Sequence, residues 1–157
     1  MDFEEYRGLL LSDFARYKSK GGTLLSSFLS DPGFRHICLI RTTRFLSEGR
    51  RVFHFPLFAI SKLLLAVHSR IYKIKVPFST IIGPGFYIDG PEKIVISPKT
   101  RIGDNCCICR GAIIYSVHKG KHPGAPVIKD NVYIGPYSKI VGGIGVGNNV
   151  SIGPMSV

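Results

Sequence analysis

Apolar positions follow one rule in the first half of the chain and another in the second. From Glu4 to Tyr17, the residues Leu9, Leu10, Phe14 and Tyr17 fall at helical spacing, and Gly21-Gly22 then interrupts. A short helix is predicted at 24–29. Asp31-Pro32 reads as an N-cap followed by proline in the first turn, opening a helix that runs to Phe45 and ends near Gly49. A fourth helix, at 56–72, is apolar nearly all round, with Lys62, His68 and Arg70 as its polar interruptions. These helices are expected to form a small antiparallel cluster.

Beyond Val76 the period changes to six. Ile82, Ile88 and Ile94 are followed, after a slip of two residues, by Ile96, Ile102, Ile108 and Ile114, and the series resumes at Ile128, Ile134, Ile140, Val146 and Ile152. Neither a strand, with period 2, nor a helix, with period 3.6, produces this spacing. A parallel β-helix does: each flat face takes about six residues and turns one aliphatic side chain into a narrow core. Glycines often follow the aliphatic position (Gly83, Gly103, Gly135, Gly147, Gly153), where they are expected to permit the turn between faces. At about eighteen residues per coil, 82–157 makes about four coils. The segment 115–127, with Gly120, Pro123, Gly124, Pro126 and four basic or imidazole side chains, reads as a loop thrown out from the prism.

The chain is thus expected to divide into a helical region, 1–76, and a repeat region, 77–157. Its 157 residues exclude a two-lobed enzyme with separate cofactor and substrate domains. Lys and Arg number 21 against 10 Asp and Glu, so the surface is basic and favours anionic partners. Within 49–76 there are six bases and no acid, a combination with apolar residues that suits a helix on an anionic membrane face; a core helix with solvated basic ends fits as well. No nucleic-acid motif accompanies the charge. Cys38, Cys106, Cys107 and Cys109 lack metal-ligand or disulfide-framework spacing and read as plain thiols in a reducing compartment, with no metal expected. The acidic start MDFEEYRGLL is unlike a secretion signal, and the protein is expected to be cytoplasmic.

The runs GPGFYID, IVISPKTRIGDNCCICRGAII and GAPVIKDNVYIGPYSKIVGGIGVGNNVSIG resemble the hexapeptide-repeat acetyltransferases, specifically the branch of serine acetyltransferases and capsular polysaccharide O-acetyltransferases, as does the helix-opening DPGFR. The resemblance implies an α+β chain in which an N-terminal α-helical cluster precedes a left-handed parallel β-helix. It also implies a homotrimer with sites between neighbouring prisms, acetyl-CoA as co-substrate, and direct acetyl transfer to a hydroxyl. The short helical region points to a saccharide acceptor, a cell-surface polysaccharide or its precursor, ahead of serine. Pantetheine would run past Ser116, Gly135-Pro136 and Gly153-Pro154.

Two departures from the family pattern bear on activity. Members carry the base histidine directly after the residue matching Asp89, where this chain has Gly90, and the second His-Pro of the serine enzymes falls on Ala125-Pro126, three residues past His122-Pro123. Three readings follow. His118 or His122 supplies the base from the loop, Asp89 or a substrate group acts as a weaker one, or the chain is a catalytically silent relative serving as scaffold or binding partner. Members also continue beyond the residue matching Val157, so either the chain is truncated or a trimer covers the prism end.

Overall fold

In the computed structural model, which describes residues 1–18, 23–49, 54–90, 92–120 and 122–157, the first half is helical. Helix α1 (Phe3–Tyr17) opens on Asp2, whose carboxylate accepts from the Glu5 amide. Helix α2 (Leu24–Ser30) opens on Thr23. Helix α3 (Pro32–Glu48) opens on Asp31, whose Oδ1 accepts from the amides of Gly33 and Phe34 with Pro32 in the first turn, as the Asp-Pro pair predicted. Helix α4 spans His54–Tyr72. The expected stop at Gly21-Gly22 lies outside the described residues.

Helix α3 is the centre of the helical part, packing against α1, α2 and α4. Between α3 and α4, the Nδ1 atoms of His36 and His68 lie 3.1 Å apart, so one neutral ring donates and the other accepts. Burial lowers the His36 pKa to about 3, with His68 adding to the effect; burial, then Arg35, lowers that of His68 to about 4.

From Ile81 onward, eleven short strands among the described residues build a three-sided prism, all pairings being parallel. The first face holds β1 (Ile81–Ile82), β4 (Arg101–Ile102), β7 (Val127–Ile128) and β10 (Gly145–Val146). The second holds β2 (Tyr87–Asp89), β5 (Cys107–Cys109), β8 (Tyr133–Ile134) and β11 (Ser151–Ile152). The third holds β3 (Val95–Ile96), β6 (Ile113–Tyr115) and β9 (Lys139–Val141). Ile82 pairs with Ile102, Ile102 with Ile128 and Ile128 with Val146, so successive coils take 20, 26 and 18 residues. The two extra residues of the first coil sit in the corner after Asp89, and the eight of the second in the loop after β6. Both Ile94 and Ile96, either side of the slip, are buried, as are Ile88, Ile108, Ile114, Ile134 and Ile140.

The glycines after the aliphatic positions do a different job from the one expected. The φ angles of Gly83, Gly103 and Gly135 are not positive. A Cβ there would instead strike the next coil, 2.8 Å from the Lys129 carbonyl carbon at Gly103 and 2.7 Å from the Ile152 oxygen at Gly135. Coils one strand spacing apart, about 4.8 Å, leave no room for it. At the corner between the first and second faces, where Gly83 and Gly103 lie, the left-handed residues include Asn105, Asn131 and Asn149, at φ 55°, 56° and 58°. They stack, with the Asn131 amide donating to Asn149 at 3.0 Å.

The first coil has an open sheet edge, and α1 and α3 close it. Arg41, buried on α3, donates to the carbonyls of Ile82 and Gly83 at 2.6 Å each and to both carboxylate oxygens of Asp13 at 3.0 and 3.3 Å. Asp13 in turn accepts from the Phe86 amide at 2.9 Å, and the Tyr17 hydroxyl accepts from the Ile88 amide at 2.9 Å. The edge groups that would otherwise be unpaired are thereby satisfied by Asp13 and Tyr17, one turn apart on α1, and by Arg41 on α3.

Candidate active site at two corners of the prism

The candidate site residues sort onto two of the prism's three corners. Asp89, Gly135-Pro136 and Gly153-Pro154 stack at the corner between the second and third faces, because the 20-, 26- and 18-residue coils bring Asp89 over Cys109, Gly135 and Gly153. Ser116, His118 and His122 leave from the corner between the third and first faces. One copy of the chain therefore does not unite Asp89 with either loop histidine, nor Ser116 with the two Gly-Pro pairs.

At the Asp89 corner the backbone is knitted coil to coil. Arg110 donates to Asp89 at 2.9 Å, Tyr137 to Arg110 at 2.9 Å and Met155 to Pro136 at 2.9 Å. The Pro136 carbonyl, on the expected path of pantetheine, thus already accepts one hydrogen bond. Ser138 and Ser156 donate their hydroxyls to Gly135 and Gly153. The Asp89 carboxylate is exposed, 4.0 Å from the Cys109 sulfur, which lies 3.3 Å from the Tyr133 hydroxyl. Burial, reinforced by Cys109 and Asp89, pushes the Cys107 thiol up to about 12; the hydrogen bond with Cys109 leads the causes that raise Tyr133 to about 12. Both hold their protons at neutral pH and can donate but not act as a general base. Burial likewise pushes Cys38 up to about 12, and the four cysteines are free thiols.

Gly90 has φ +67°, in the left-handed region. A Cβ there would meet only the Arg110 side chain, at 3.5 to 3.7 Å, which is ordinary contact. A side chain fits at this position, and the obstacle is backbone conformation, about 1 kcal/mol for a non-glycine residue.

At the other corner, the Ser97 and Ser116 hydroxyls are 2.7 Å apart. The loop is less free than the sequence suggested. Val117 and Gly124 exchange both backbone hydrogen bonds, at 2.9 and 2.8 Å, and Gly143 donates to the His122 carbonyl at 3.0 Å. The hairpin so formed leans on Gly142-Gly143 one coil later, where a Cβ on Gly143 would lie 2.6 Å from the Pro123 oxygen. That Gly-Gly pair was the sequence signal for this seat and was missed. The side chains of His118 and His122 are exposed at the hairpin. Among the described residues, no three His, Cys, Asp or Glu side chains cluster as metal ligands.

Residues 125–157 match the family described as bacterial transferase hexapeptide (six repeats). A serine acetyltransferase of Helicobacter pylori is 30% identical over 126 residues, which cover 80% of this chain and 70% of that protein. The chain belongs to the hexapeptide-repeat acetyltransferases, on the serine acetyltransferase branch. A second family member, the serine acetyltransferase of Synechococcus elongatus, is 29% identical over 133 residues, 85% of this chain, and the chain spans 52% of its length. The crystal structure of serine acetyltransferase from Brucella abortus strain S19 in complex with coenzyme A superposes with a TM-score of 0.77 at 21% identity, over 99% of this chain and 61% of that one. The prism is accordingly the left-handed parallel β-helix of this family, preceded by its helical region, and the fold is α+β.

Proposed function

We propose that the protein transfers the acetyl group of acetyl-CoA to a hydroxyl, at a site formed where the Asp89 corner of one copy meets the Ser116–His122 corner of the next. The observation that carries the reading is the sorting of candidate residues onto two corners of one chain, within a fold shared along its whole length with enzymes of this activity. A homotrimer brings unlike corners together three times by symmetry. The prism's outward side chains suit such packing: Ile81, Tyr115, Val127, Tyr133, Val141 and Ile144 are large, apolar and exposed.

In that arrangement His118 or His122 takes the acceptor's proton as its oxygen attacks the thioester carbonyl. The tetrahedral oxyanion collapses, the C–S bond breaks, and the CoA sulfur leaves and gains a proton. The Gly135-Pro136 and Gly153-Pro154 stack lines the path of pantetheine at the opposite corner. The relatives' names favour serine as the acceptor; the saccharide expected from the short helical region finds no support among them.

A second reading rests on Gly90. With no imidazole after Asp89, a chain whose loop histidines do not serve would be a catalytically silent trimer that binds a partner. Thiol release from acetyl-CoA, measured with L-serine and a panel of saccharides for the wild type and for Gly90→His, decides between them. Acceptor-dependent release by the wild type supports transfer, with the productive acceptor naming the substrate class. Release by Gly90→His alone establishes the silent reading, and release by neither removes the transferase reading.

A further inference from the structure

Helix α4 is apolar around its circumference yet packs along one narrow strip. Ser61, Leu65 and His68 are buried and Phe58 and Tyr72 half-buried, facing α3 and Phe78. Leu57, Ile60, Leu63, Leu64, Val67 and Ile71, at helical spacings of three and four, form a stripe whose members are 48% to 65% exposed. An uncovered stripe of this kind marks an interaction surface.

Charge decides what covers it. The sequence from Gly49 to Ile88 contains no Asp or Glu, and Lys62, Arg70, Lys73 and Lys75 are exposed on or just after the helix. A second copy docked stripe to stripe would set bases against bases with no acid nearby to pair them. An anionic surface with an apolar interior satisfies both features. No helix among the described residues is long and apolar enough to cross a membrane, so the geometry is that of a helix lying in the surface plane. We infer that α4 docks the protein on an anionic lipid bilayer, with the Leu57–Ile71 stripe inserted among the acyl chains and Arg70, Lys73 and Lys75 at the headgroups. The inference is independent of the transferase reading, since its readout involves no acetyl transfer.

The test is flotation of the purified full chain with vesicles of phosphatidylcholine alone and of phosphatidylcholine with phosphatidylglycerol, at low and high salt. Binding is expected to the anionic vesicles only and to weaken with salt. Arg70→Gln with Lys73→Gln should weaken it about 25-fold, from about fivefold per base near an anionic surface. Leu63→Ser with Val67→Ser, both at exposed positions, should weaken it at least about tenfold. Circular dichroism checks that each variant is folded, and its mass in solution without lipid is measured alongside. Absence of binding to anionic vesicles, equal binding to both compositions, or unchanged binding by the folded variants would each overturn the inference. So would a fall in oligomer mass in the Leu63/Val67 variant, which would seat a second copy on the stripe.

Discussion

Replacing Arg41 with methionine tests how the helical region closes the prism. The guanidinium makes four hydrogen bonds, two to Asp13 and one each to the carbonyls of Ile82 and Gly83, and both it and Asp13 are buried. Methionine keeps much of the volume and none of the donors. The Asp13 carboxylate is then left with the backbone amides of Phe86 and Gly85, and two edge carbonyls lose charged donors. Breaking a buried pair from one side costs about 3 to 5 kcal/mol, and the orphaned carbonyls place this site at the upper end of that range. Because the damage is dominated by an uncompensated charge, Asp13→Leu added to Arg41→Met should recover part of the loss although it removes a further polar group. Urea unfolding followed by circular dichroism gives the free energies, and amide exchange at Phe86 and Ile88 reports whether the first coil opens before the rest. A loss below about 1 kcal/mol for Arg41→Met, or a double variant less stable than the single one, would refute the view that this cluster seals the edge.

Three other expectations follow from the packing and the titrating groups. Ile134→Ala and Ile140→Ala should each destabilise by about 2 to 5 kcal/mol in urea unfolding, since both side chains are buried in the prism core. Gly103→Ala should prevent normal coil stacking and lower the melting temperature sharply, whereas Gly145→Ala, with nothing within 4 Å of its added carbon and no positive φ, should cost little; equal effects would undo the spacing argument. His36 and His68 stay neutral when folded until about pH 3 and about pH 4, but in the unfolded chain they take up protons below about pH 6.5. The unfolded state therefore binds more protons between those limits, and stability falls as pH falls: about 1.5 kcal/mol for His36 between pH 6.5 and 5, measured by urea titration at each pH.

The period of six made the prism, its core side chains and the two-residue slip legible before any coordinates, because a narrow core demands one aliphatic residue per face. Corner placement was not read: Ser116 was expected on one pantetheine path with Gly135-Pro136 and Gly153-Pro154, whereas the coil lengths put the two Gly-Pro pairs on the Asp89 corner and Ser116 on another. Other features depend on contacts distant in sequence. Asp13 on α1 meets Arg41 on α3, and Tyr17 meets the Ile88 backbone, only through folding; both helices carry several other charged side chains, so nothing local singled out this pair. The role of the glycines was misread because a turn and a close approach between coils select the same residue. The hairpin at 117–124 was read as a projecting loop because its seat, Gly142-Gly143, comes a full coil later.

Co-expression of two inactive variants tests the shared site most directly. Gly153→Glu, whose added carbon meets only ordinary contact at 3.5 Å but whose carboxylate stands in the pantetheine path, impairs one corner and the double substitution His118→Ala, His122→Ala the other, the latter expected to lower turnover about 10²- to 10⁴-fold. If acetyl transfer needs both corners from different copies, mixed trimers contain intact junctions, and thiol release should recover to about a quarter of the wild-type rate for random mixing in a closed three-fold ring. A mixture no more active than the better of the two variants would contradict the account.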